Sequence, residues 1–132
     1  MPLESEYLAE LRSALAHLDD PPYLERHPLA RRLGFLAQTP GLSRGQALRR
    51  ALRLGVAALD PGGGGAPGPL EARSFQVLYQ WAICKESTVS IASLLGISRR
   101  QAYRELEHAI EALGQVLISM TPHPEPEGEQ TP

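Results

Sequence analysis

A single cysteine, Cys84, stands among 132 residues. That excludes an intramolecular disulfide and a cysteine-based zinc site, and gives no reason to place the chain in an oxidising compartment. The thiol reads as a small buried hydrophobe. Aromatic residues make up only 5% of the chain, whereas alanine, leucine and arginine abound, a bias toward helix over strand. No apolar run approaches the length of a membrane span, and Glu4, Glu6 and Glu10 stand where a secretory leader would be basic and then apolar. A cytoplasmic protein without a membrane partner is expected. His17, His27, His108 and His123 are scattered without metal-ligand spacing, and no carboxylate pair or Ser-His arrangement emerges. Each reads as a surface histidine, and neither an enzyme, a metal nor a cofactor is expected.

What is present is 42% apolar content, enough for one modest core or two small helical lobes sharing it. The formal charge of −2 conceals an uneven distribution: residues 1–20 sum to −4, 21–60 to +5, 71–120 to zero and 121–132 to −3. A basic middle suits phosphate contact by one surface, although a neutral lobe binds DNA weakly by itself, so pairing of chains enters the expectation.

Residues 1–59 form the expected N-terminal lobe. Leu8, Leu11, Ala14, Leu15 and Leu18 keep helical spacing from about Glu4 to Leu18, and Asp19-Asp20-Pro21-Pro22 ends that helix. Tyr23–Arg26 reads as a short helical turn, and Pro28 suits the first position of another helix, with Gly34 at or just past its end. Phe35–Leu42 reads as loop. Ser43 and Gln46 form a capping-box signature before a helix buried through Ala47, Leu48, Ala51, Leu52, Val56 and Leu59. Its Arg44, Arg49, Arg50 and Arg53 are either a solvated face or a phosphate-contacting patch beside the next lobe. Residues 60–69, rich in glycine and proline, read as a flexible linker, and 121–132 as a disordered acidic tail.

Residues 70–120 carry the sharpest signal. A helix from Leu70 to about Lys85 presents Phe75, Leu78, Tyr79, Ala82 and Ile83 on one side, with Trp81 off that stripe and packing against the N-terminal lobe. Ser87 or Thr88 caps a second helix whose Val89, Ile91, Ala92, Leu94 and Leu95 give one broad buried side. Gly96 suits a left-handed helix end, and Ile97 fills the space before Ser98 opens a third helix with Gln101 as its capping-box partner. Ala102, Leu106, Ala109, Ile110, Leu113, Val116 and Leu117 share one stripe of that helix, leaving Arg99, Arg100, Gln101, Arg104 and His108 off it. The expected fold is all-α, a helical bundle with a C-terminal trihelical helix-turn-helix unit. Arginine and glutamine at the start of such a helix pair with guanine and adenine edges in the major groove.

The run LLGISRRQAYRELEHAIEAL resembles the fourth conserved region of primary bacterial sigma factors, which reads a promoter element, and related helix-turn-helix regulators. With EARSFQVLYQWAI upstream and LRSALAHLDDPPYLERHPLARRLG near the N-terminus, the chain resembles sigma-region-4-like DNA-binding domains of bacterial transcriptional regulators over about residues 8–117. The resemblance implies sequence-specific binding of double-stranded DNA. Ser98 would cap the recognition helix, Arg99, Arg100, Gln101 and Arg104 would face bases or phosphates, and Thr88 would contact the DNA backbone. Two positions depart from the pattern. Lys85-Glu86 stand where glycine and an apolar residue are common, and Tyr103 replaces a polar or basic residue, either to stack on a sugar or to pack at the helix edge. The alternative expectation is an interaction module that docks on RNA polymerase, a sigma factor or an identical chain.

Overall fold

The computed structural model describes residues 5–33, 41–60 and 72–120. These hold seven helices and no strand: α1 (Ser5–Ala16), α2 (Pro21–Glu25), α3 (Pro28–Leu33), α4 (Arg44–Ala58), α5 (Ala72–Ala82), α6 (Thr88–Leu95) and α7 (Arg99–Met120). The all-α class follows from them. Residues 61–69 of the expected linker, the C-terminal tail and residues 34–40, with Gly34, lie outside the described residues. No described helix is long and apolar enough to cross a membrane.

Helix boundaries follow local chemistry. Asp20 Oδ1 accepts from the Tyr23 N–H at 3.2 Å, and Pro21-Pro22 open α2, where missing backbone donors cost nothing. Ser43 and Gln46 form the full reciprocal box at α4: Gln46 N–H donates to Ser43 Oγ at 3.1 Å and Ser43 N–H to Gln46 Oε1 at 2.9 Å. Ser87, rather than Thr88, caps α6, and Gly96 ends it at φ 69°.

One core joins the two ends of the sequence. Leu11, Leu15, Leu48, Leu52, Leu78, Ile91, Leu106, Leu113 and Leu117 belong to one buried cluster. α7 packs against α1, α4, α5 and α6. The Tyr7 hydroxyl donates to the Gly114 carbonyl at 3.1 Å, so α1 is tied to α7 by a buried hydrogen bond as well as by apolar contact. Gly55 lets α4 approach α7 closely; a Cβ there would stand 2.7 Å from Leu113 Cδ1.

Several expectations about burial are corrected. Val89 and Leu94 are 53% and 65% exposed, and α6 buries only Ile91 and Ala92 fully. An eight-residue helix apolar on most sides contains no periodicity that selects the buried one. α5 faces the core through Ser74, Val77, Leu78 and Ala82, while Tyr79 is exposed and Phe75 half-buried. Trp81 is partly buried against the core, with Arg12 of the N-terminal helix α1 over its ring. Cys84 is exposed in the turn after α5 instead of buried, because α5 ends two residues earlier.

His27 is buried and not on the surface. Its Nδ1 accepts the Leu29 N–H at 3.1 Å, satisfying an amide in the first turn of α3. Burial lowers its pKa below the ordinary 6.5, Glu10 opposes that shift and His17 adds to it. The folded chain therefore holds imidazole neutral, and the unfolded chain binds the proton more readily. Stability is fully present above the unfolded pKa of about 6.5 and declines as pH falls through it toward the lower folded value. Thermal melts between pH 7.5 and 5 check this. The wild type should lose midpoint temperature below pH 6.5, and His27→Gln should flatten that loss; identical profiles would contradict it.

Candidate nucleic-acid interface

The α6–Gly96–α7 segment assembles the surface of interest from short-range geometry. Gly96 turns left-handed, its N–H and that of Ile97 return to carbonyls of α6, and Ser98 Oγ accepts the Gln101 N–H at 3.0 Å to start α7. Ala92 is buried one turn before Gly96, where its small side chain permits the close crossing. α5 packs on both α6 and α7.

α7 then divides its surface. Ala102, Leu106, Ala109, Ile110, Leu113 and Leu117 are buried, with Val116 half-buried. Arg99, Arg100, Arg104 and His108 are exposed. At 100° per residue, Arg100 and Arg104 lie opposite the Ala102–Leu106 stripe, one turn apart. Neither they nor Arg99 has an ion-pair partner among the described residues. Three cations therefore stand at the positive end of a 22-residue helix, a region that attracts anions. Ser98 is exposed, and Thr88, at the start of α6, is half-buried.

Two of the residues expected to face a ligand are engaged inside the protein. Only half of the Ser98–Gln101 box forms. The Gln101 side chain does not return to Ser98 but donates through Nε2 to Glu105 Oε2 at 2.7 Å. Glu105 also accepts from Ser74 Oγ of α5. The Ser74 hydroxyl, and to a smaller extent the Gln101 amide, lowers the Glu105 pKa against the opposing effect of burial. On the other flank, Arg12 of α1 lies 5.0 Å from the Tyr103 ring centroid and 5.6 Å from that of Trp81. The same guanidinium pairs with Glu107 at 2.7 Å. Tyr103 meets Arg12 and still leaves 48% of its surface exposed. Sequence reasoning missed this Arg12 clamp, which no local pattern announces.

The arginines of α4 form a separate group. Arg49, Arg50 and Arg53 line a shallow concavity with Gln46, Pro21, Leu42 and Leu54, and Arg49 is partly engaged by Asp19 at 3.5 Å. Arg44 lies near Glu25, whose carboxylate accepts the Gly45 N–H at 2.7 Å. α4 meets α7 at Leu113 and Leu117, about 18 Å along the helix from Gln101. Asp19 also takes Lys85, in the turn before α6, at 3.9 Å, so Arg49 and that turn share one carboxylate.

Lys85, in the turn before α6, is left-handed at φ 63°. The turn before α6 keeps the backbone shape that glycine would supply and bears the steric cost of a side chain, on the order of 1–2 kcal/mol. The chain matches no family model, no curated protein and no solved structure.

Proposed function

We propose that the protein is a cytoplasmic, sequence-specific binder of double-stranded DNA in transcription regulation, with α6–Gly96–α7 as a helix-turn-helix and the start of α7 in the major groove. The observation that carries this reading is the set Arg99, Arg100 and Arg104, exposed without ion-pair partners among the described residues, at the N-terminus of a helix otherwise anchored in the core. Arginine forks suit guanine edges and phosphates, and the helix N-terminus adds positive potential where the backbone approaches. On this reading Ser98, Thr88 and His108 add polar contacts at the margin, and the α4 arginines offer a second cationic surface for phosphates or for a paired chain. A sigma-region-4-like regulator is the class this reading belongs to.

The test is a fluorescence titration of a duplex enriched from a random pool, with Arg99→Ala/Arg104→Ala compared against the wild type. Removing two arginines from base edges or phosphates weakens binding on the order of a hundredfold. Both side chains are exposed, so the thermal midpoint should stay unchanged. Equal affinity of the two proteins would rule out direct readout through α7.

A second reading has its own observation. Val89 and Leu94 expose apolar surface on α6, which suits docking on RNA polymerase, a sigma factor or an identical chain. Under that reading Val89→Ser/Leu94→Ser abolishes partner binding while leaving duplex affinity untouched.

A further inference from the structure

We propose that α7 reads guanine through Arg100 and Arg104, and that the Gln101 side chain takes no part in base recognition. This inference rests on the DNA-binding reading and names what that surface selects.

The first support is the division of α7 into flanks. Ala102, Leu106, Ala109 and Leu113 fix one side in the core. Gln101 and Glu105 lie on the flank toward α5, because Glu105 accepts from Ser74, a buried hydroxyl of that helix. Tyr103 and Glu107 lie on the opposite flank, toward α1, because both meet Arg12. Arg100 and Arg104 occupy the exposed line between the two flanks. They are the cations best placed to enter a groove along the helix axis.

The second support is that the amide is tied to Glu105 on the α5 flank, away from the exposed line of Arg100 and Arg104. Reading adenine requires the glutamine to present its oxygen and nitrogen side by side to N6 and N7. Gln101 is half-buried, and its Nε2 is held by Glu105 at 2.7 Å. Turning it toward a base would remove one of the two donors that satisfy the half-buried carboxylate, a loss that opposes the gain from a base contact. With the amide held on the α5 flank, the side chains left on the exposed line are arginines, whose paired donors match O6 and N7 of guanine. Adenine offers N7 beside a donor, and thymine a single O4.

The third support is where the positive surface ends. Glu111 follows Arg100 and Arg104 on the same exposed line, and Glu107 stands beside it. A carboxylate there repels the phosphate backbone, so close approach is confined to the first two turns of α7. Arg100 and Arg104 are separated by about 6 Å along the axis, close to two base-pair steps of about 3.4 Å each. The selected sequence should therefore carry two guanines about two base pairs apart.

The experiment is selection of bound duplexes from a random pool by the full chain, repeated with Arg100→Ala, Arg104→Ala and Gln101→Ala. The wild type should enrich the guanine pair. Each arginine variant should erase the preference at one of the two guanines and weaken binding to the wild-type site by about tenfold or more. Gln101→Ala should enrich the same sequence with affinity within about twofold of the wild type. A core of A·T pairs, or an adenine position that vanishes in Gln101→Ala, overturns this inference and leaves DNA binding standing. Enrichment of no sequence overturns sequence reading altogether, and absence of duplex binding overturns the DNA-binding reading with it.

Discussion

Gly45→Ala should lower the unfolding free energy by about 2 kcal/mol, although alanine is the better helix former by somewhat less than 1 kcal/mol near a helix start. Gly45 lies in the first turn of α4, against α2. A Cβ there would stand 2.5 Å from the Pro21 carbonyl oxygen and 2.9 Å from the Glu25 nitrogen. Both are backbone atoms and cannot rotate away, so α2 must shift. That shift also disturbs the Glu25 carboxylate, which accepts the Gly45 N–H at 2.7 Å and whose pKa that bond lowers. Overpacking against backbone costs on the order of 3 kcal/mol, which exceeds the gain in propensity. Urea unfolding measures the difference. A variant as stable as the wild type would mean that α2 does not rest on α4 in this way. Gly55→Ala is the milder comparison, because its new methyl meets the ends of the Leu113 and Leu117 side chains, which can turn aside.

Leu113→Ala should cost about 3–4 kcal/mol, a large share of the roughly 5–15 kcal/mol that holds a domain folded. Leu113 is fully buried, touches the Gly55 position of α4, and precedes the Gly114 carbonyl that binds Tyr7 of α1. The cavity therefore opens where three helices from distant parts of the sequence meet. Because the core is continuous, unfolding should remain one transition, with helix signal and Trp81 fluorescence moving together. Two separated transitions, only one of them lowered by the substitution, would show that the halves fold apart.

Long helices with one buried stripe were legible in the sequence. α4 and the core side of α7 follow their 3.6-residue patterns because many apolar positions repeat over several turns. The Ser43–Gln46 box was legible because both of its bonds span three residues. The identical spacing of Ser98 and Gln101 misled for a physical reason: Glu105 one turn on competes for the amide, and Ser74, 31 residues away, positions that carboxylate. No local rule weighs such a competitor. Val89 and Leu94 were misplaced because α6 is apolar on most sides, and only α5 and α7 decide which side is covered. The burial of His27 and Tyr7 and the seat of Arg12 between Trp81 and Tyr103 are likewise tertiary facts. Of the candidate site, the exposed Arg100, Arg104 and His108 were legible from periodicity, Arg99 is exposed only because it opens α7, and the engagement of Gln101 and Tyr103 was not legible.

Backbone amide chemical shifts recorded while a selected duplex is added test the central claim most directly. The largest changes should fall on Ser98–Arg104 at the start of α7, with smaller ones near Thr88 and little effect in the buried half of α1. Changes confined to α4 or to the exposed apolar side of α6, with residues 98–104 unmoved at saturation, would contradict a recognition role for α7.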